Sequence, residues 1–100
     1  MTKRKITPVH AGFYLKELLD ELKISQHQLA RNIGVSPMRV NHILKEKRPV
    51  TAEMAIRLGL FFNQSPQYWL NLQSRYDMDT ALDAVGDRLA HQITPLKLAA

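Results

Sequence analysis

Cysteine is absent from this sequence of 100 residues. That excludes a disulfide framework and a thiolate metal site, and it suits a reducing compartment such as the cytoplasm. Long apolar runs are also missing, and mean hydropathy is −0.26, so no membrane span is expected. The opening "MTKRKITPVH" is basic, but no apolar core or small-residue cleavage site follows, so it is not read as a signal peptide. The four histidines, at 10, 27, 42 and 91, lack the H-x-x-x-H or H-E-x-x-H spacing of a metal site, and neither metal nor cofactor is expected. Ser36 and His42 lie six residues apart, which on a helix does not bring them face to face. No third orienting group or Gly-rich loop accompanies them, so catalysis is not expected either. No alternating apolar pattern marks a strand, and there is neither an internal repeat nor a low-complexity segment.

What the chain does have is helix punctuation. "GFYLKELLDELK", residues 12–23, places Leu15, Leu18, Leu19 and Leu22 on one stripe. Ser25 opens "SQHQ", with Gln28 three residues on, a capping-box spacing. The helix that follows uses Leu29, Ala30 and Ile33 as its inner face and stops at Gly34. Ser36 and Pro37 start another helix at once, as N-cap and first helical residue. Thr51 caps "AEMAIRLGLFF", and Ser65–Pro66 caps "QYWLNLQSRY". A weaker helix is expected over residues 79–92, interrupted by Gly86, with Thr94–Pro95 marking the stop. The whole reads as a single all-α domain over residues 1–100, with a helix–turn–helix unit at about 25–45 and short flexible tails at both ends.

Charge and surface chemistry converge on that unit. The formal charge is +5, but residues 1–50 carry ten Lys and Arg against four Asp and Glu, while residues 51–100 carry four against five. The positive excess therefore lies in the half that holds the helix–turn–helix, which points to a polyanionic partner there. If Val40, Ile43 and Leu44 face inward, the helical period turns Pro37, Met38, Arg39, Asn41, His42 and Lys45 outward or sideways. Arg matches the edge of guanine, Asn that of adenine, and Met can pack on a thymine methyl. Gln26, Lys45, Lys47 and Arg48 sit at the two edges of the unit, where phosphates would lie. An exposed Arg–Asn–His face also occurs on ordinary solvated helices. The Gly turn, the capped restart and the charge asymmetry together favour sequence-specific DNA binding.

These residues resemble a known family. "QHQLARNIGVSPMRVNHILKEKRPVT" resembles the helix–turn–helix of Xre and phage-repressor regulators, and "TAEMAIRLGLFFNQSPQYWLNLQSRYDM" is similar to the HigA antitoxins, also called virulence-associated protein I. The resemblance covers residues 6–78 or so. Where the family opens with "HPGE", this chain has "HAGF", with Ala11 and Phe13 in place of Pro and Glu. The resemblance implies a compact fold of five or six helices of the Xre and lambda-repressor type. It also implies a cytoplasmic, nucleoid-associated antitoxin of a type II toxin–antitoxin pair, which binds a palindromic operator as a homodimer, represses its own operon and neutralises a RelE/HigB-like, mRNA-cleaving toxin. An Xre repressor without a toxin partner is the alternative, and a non-DNA scaffold or RNA-binding module a third reading. The resemblance assigns base reading to Ser36, Met38, Arg39 and His42. It assigns backbone contact or orientation to Gln26, Asn41, Lys45, Lys47 and Arg48.

The stretch "SPQYWLNLQSRY" supports two readings. Tyr68, Trp69, Leu72 and Tyr76 nearly share one face, so Trp69 either closes the core or joins a subunit contact. The apolar surplus of residues 65–92 is expected to serve dimerisation, with Leu72 and Tyr76 as exposed candidates for the interface.

Overall fold

Five helices in chain order make up the fold, in a computed structural model that describes residues 7–98. They are α1 (Ala11–Leu22), α2 (Gln26–Ile33), α3 (Pro37–Leu44), α4 (Ala52–Phe62) and α5 (Pro66–Gln92). There is no strand among the described residues, and the expected N-terminal tail falls largely on residues 1–6, outside them. The caps are where the sequence puts them. Ser25 Oγ accepts from the Gln28 amide, Ser36 Oγ from Arg39, Thr51 Oγ1 from Met54 and Ser65 Oγ from Gln67. Each oxygen satisfies one of the amides that a helix start leaves without an intrahelical partner. Gly34 ends α2 in the left-handed region, at φ 74°. Lys23 and Asn63 end α1 and α4 in the same conformation, although neither is glycine.

The core is built from one face of each helix. Leu15 and Leu19 meet Leu29, Ala30 and Ile33, then Val40 and Ile43, then Met54, Ala55 and Leu58, and Trp69 closes the far side with no exposed surface. Trp69 is therefore core, its Nε1–H donating to Gln64 Oε1 at 2.9 Å. Leu22, the last residue of the expected leucine stripe, is 49% exposed, because α1 ends there and the left-handed Lys23 turns the chain away. Two further expectations are corrected. Leu72 and Tyr76 are not exposed: both are half-buried, Leu72 against the core and Tyr76 with its ring edge-on to His10, centroids 4.8 Å apart. The two C-terminal helices are also one. α5 runs 27 residues through Gly86, because a single glycine costs about 1 kcal/mol, less than a stop requires when no proline or cap accompanies it.

That continuous helix also changes the shape. The radius of gyration is 17.4 Å and the extents are 56 × 28 × 21 Å, whereas a compact chain of this length would have about 13 Å. The first half of α5 packs on α4 and α1; beyond Asp79 nearly every residue is exposed. α5 therefore projects from the body as an arm.

His10 is the element that sequence reasoning left without a role. It is the N-cap of α1, buried, with Nδ1 accepting from the Gly12 amide at 2.8 Å. Burial lowers its pKa from the usual 6.5, although the charges of Glu46 and Asp77 pull the other way. The folded state thus binds this proton less readily than the unfolded chain. The stabilisation is complete above pH 6.5 and is lost as pH falls below it, toward the folded pKa. Urea unfolding between about pH 7.5 and 5.5 should show stability falling with acidification in the wild type. The drop should be smaller in His10→Asn, which can cap without titrating. Equal slopes would remove His10 from this role.

Candidate nucleic-acid interface

α2 and α3 form a helix–turn–helix elbow whose inner surfaces are apolar and whose outer face is chemically mixed. Ala30, without exposed surface, lets α3 come close, and Val40 and Ile43 anchor it. The turn between them rests on Gly34 and on the Val35 amide, which donates to Ala30 O at 3.0 Å. Across the elbow, Asn41 Nδ2 donates to Gln26 Oε1 at 3.1 Å. This bond joins the start of α2 to the middle of α3, so that both side chains are held in one geometry.

With that inner face fixed, the outer side chains take distinct positions. Met38 is the most open, 67% exposed. Ser36 is exposed, its oxygen occupied as acceptor for the Arg39 amide while its hydroxyl hydrogen remains a donor. Arg39 and His42 are half-buried on the same helix. Ser36, Met38, Arg39 and His42 thus lie along the N-terminal two turns of α3. Lys45, Lys47 and Arg48 are exposed just beyond its C-terminus. The loop that carries them is tightly turned. The amides of Lys47 and Arg48 both donate to His42 O, at 2.8 and 3.2 Å, and Glu46 takes a left-handed φ of 62°. Its far end is pinned by Gln73 of α5, whose Oε1 accepts from the Val50 amide at 2.9 Å while Nε2 donates to Asp77. Gln26 and Asn41 stand at the other edge.

An ionic chain absent from the sequence reading crosses this surface. Glu53, at the start of α4, accepts from Arg39 Nη2 through Oε1 at 3.2 Å and from Arg57 Nη2 through Oε2 at 3.1 Å. Arg57 Nη1 in turn donates to Ile33 O, the last carbonyl of α2, at 2.7 Å. The hydrogen bonds from Arg57 and then Arg39 hold the Glu53 carboxyl below its usual range, so it is ionised at neutral pH. The i,i+4 spacing of Glu53 and Arg57 signals their own pair in the sequence, but nothing local signals the reach to Arg39.

The arrangement is a short helix packed on the body by one side, with hydrogen-bonding and apolar groups along the other and cations just past its end. Residues 15–69 match the helix-turn-helix family model. Over 80 residues the chain is 40% identical to virulence-associated protein I of Dichelobacter nodosus, across 79% of this chain and 74% of that protein. Its fold superimposes on the Pseudomonas aeruginosa antitoxin HigA, solved with the higBA promoter, at a TM-score of 0.87 with 47% identity, over 91% of this chain and 100% of that one. The chain belongs to the HigA antitoxin family. A HigA-family addiction module antidote protein from Coxiella burnetii matches at a TM-score of 0.89 with 40% identity, again over 91% of this chain and 100% of that one. The family consists of DNA-binding regulators and not of enzymes, and the α3 face is the candidate contact surface of this HigA-family chain.

Two kinds of contact should separate by mutation. Arg39→Ala and His42→Ala should each lose about 1–3 kcal/mol of preference for a cognate over a scrambled duplex, with helix content unchanged. Gel-shift titration of both duplexes measures it, and equal losses on the two would refute base reading. Ala substitution of Lys45, Lys47 or Arg48 should instead weaken both duplexes alike. Each should reduce the log–log salt slope by about one for every phosphate left without its cation. If all three slopes stay unchanged, the cluster is solvated surface only.

Proposed function

We propose that this chain is a homodimeric antitoxin that binds a palindromic operator in its own promoter, represses transcription there, and neutralises a RelE-like mRNA-cleaving toxin. It acts in the cytoplasm, on the nucleoid. The observation that carries the DNA part is the exposed α3 face, flanked by Lys45, Lys47 and Arg48, on a fold shared with a protein solved on its promoter. The antitoxin part is supported by the relatives that bear that name. Within this reading Ser36, Met38, Arg39 and His42 meet base edges. Lys45, Lys47 and Arg48 meet phosphates, and Gln26 and Asn41 orient α3 through their mutual bond.

The projecting half of α5 supports the homodimer. Met78, Leu82, Val85 and Leu89 recur at steps of four, three and four, the spacing of a coiled-coil seam. Met78, Leu82 and Leu89 are exposed, Val85 half-buried. A helix with such a stripe, largely uncovered by the described residues, gains by pairing with its copy, at roughly 25 cal/mol per Å² of apolar surface covered. To enter successive turns of a duplex, two α3 helices related by a twofold axis would need to lie about 34 Å apart.

Sedimentation at micromolar concentration should give a dimer for the wild type and a monomer for Leu82→Asp combined with Leu89→Asp. The double variant should stay helical and lose cooperative binding to a palindrome. A monomeric wild type that binds a palindrome tightly without cooperativity refutes the dimer. Co-expression with the product of the adjacent gene tests the antitoxin role. Growth arrest relieved by this chain supports it, and no effect on growth leaves an operator-binding repressor alone.

A further inference from the structure

We propose that Glu53 is the positioning residue of the DNA-reading helix: its carboxylate, anchored by Arg57, holds Arg39 so that the guanidinium meets one base edge in a fixed geometry. The inference rests on the reading of α3 as the helix that meets the bases, and it deepens that reading.

Three observations carry it. The first is that Glu53 divides its two oxygens, Oε1 to Arg39 and Oε2 to Arg57, and so joins α4 to α3 instead of closing a pair within its own helix. An i,i+4 surface pair alone would contribute little. The second is the anchoring of the far end. Arg57 Nη1 bonds Ile33 O at 2.7 Å, so the arginine that holds Glu53 Oε2 is itself fixed to the C-terminus of α2, while the Glu53 side chain remains 61% exposed. The chain Ile33–Arg57–Glu53–Arg39 thus ties α2, α4 and α3 to one another through side chains. The third is what Glu53 leaves open. It engages Nη2 of Arg39, and a guanidinium carries five N–H donors in a rigid plane. One hydrogen of Nη2 and those of Nη1 remain to approach the O6 and N7 of guanine, a pairing that needs two parallel donors at once. An arginine free to rotate would lose side-chain entropy on making that pair; one already held loses less.

The position is otherwise unfavourable for a protein that binds a polyanion. A carboxylate beside the contact face repels phosphates, so on electrostatic grounds alone it weakens all DNA binding. Discrimination between sequences is the quantity that Glu53 can raise, and this gives the test two opposite signs.

The experiment uses the full chain and a duplex that the wild type enriches from a randomised pool, with point variants of that duplex and a scrambled control. Affinities are measured for wild type, Glu53→Ala, Glu53→Gln, Arg39→Ala and Arg39→Ala/Glu53→Ala at two salt concentrations. Glu53→Ala should bind the scrambled duplex more tightly at low salt, yet its cognate-to-scrambled ratio should fall roughly tenfold, on the scale of one impaired base contact. The lost discrimination should lie at the same base pair that Arg39→Ala relaxes, and the double variant should lose no more than Arg39→Ala alone. Glu53→Gln, which keeps an acceptor without the charge, should fall between. A ratio unchanged within twofold in Glu53→Ala, relaxation at a different base pair, or an equal further loss in the Arg39→Ala background would each overturn the proposal. A wild type that enriches no duplex refutes base reading by α3, and this inference with it. Enrichment that survives Glu53→Ala intact refutes the positioning role alone.

Discussion

The start of α1 lies on the last turn of α3 so closely that a methyl group at Gly12 would collide with the carbonyl of Ile43. Much of the architecture follows from that approach. Without a side chain at 12, α1 can press its Leu15 and Leu19 face into the elbow of α2 and α3, and α3 is held from behind by backbone as well as by Val40 and Ile43. A helix start this buried must still satisfy its amides, and the Gly12 amide has no access to water. His10 solves this with a neutral imidazole nitrogen, and Tyr76 covers the ring. α5 is thereby tied to α1 and, through Gln73 and Val50, to the loop that carries the cations. The outer face of α3 is free to be chosen for its chemistry because its position is set elsewhere.

Electrostatics on that face pull in two directions. Lys45, Lys47 and Arg48 crowd the C-terminus of a short helix, where the helix dipole itself favours positive charge, so the cluster is stable before any polyanion arrives. Glu53 sits in the first turn of α4, where the dipole favours a carboxylate, and two guanidiniums keep it ionised. Both signs are therefore locally comfortable. The net +5 of the chain masks an arrangement in which attraction is general and one acidic side chain is specific in what it touches.

How much of this was legible depended on the range of the interactions. Ser25, Ser36, Thr51 and Ser65 cap within three residues of themselves, so their helices begin where the sequence says. Gly34 ends α2 for an equally local reason. Errors arose where burial is decided by distant partners. Leu72 and Tyr76 look like surplus apolar surface until α1 and its histidine are laid against them. Leu22 continues a stripe in sequence that no neighbour covers in space. Gly86 reads as a break because it is weighed alone, whereas the surrounding Ala, Leu and Arg residues carry the helix across it. The family resemblance reached the helix–turn–helix and the "WLNLQ" segment, but the link between Arg39 and Glu53 spans 14 residues and two helices, and no periodicity reports it.

The length of α5 bears on how a small domain achieves specificity. As a base-reading helix, the two turns of α3 would meet only a few base pairs, too few to stand out among genomic sites. Enlarging the domain would add contacts, but it would also demand more core than about 100 residues can bury. The chain instead extends one existing helix beyond the core, leaving Met78, Leu82 and Leu89 exposed on it as an apolar stripe. Pairing through that stripe would double the number of base pairs read without adding a residue. Asp83 and Asp87 lie along the projecting part of α5, whereas Asp77 and Asp79 lie on the part packed against the body. The apolar stripe of α5 and the outer face of α3 lie on different helices with α4 between them, so each face can change in sequence without repacking the other.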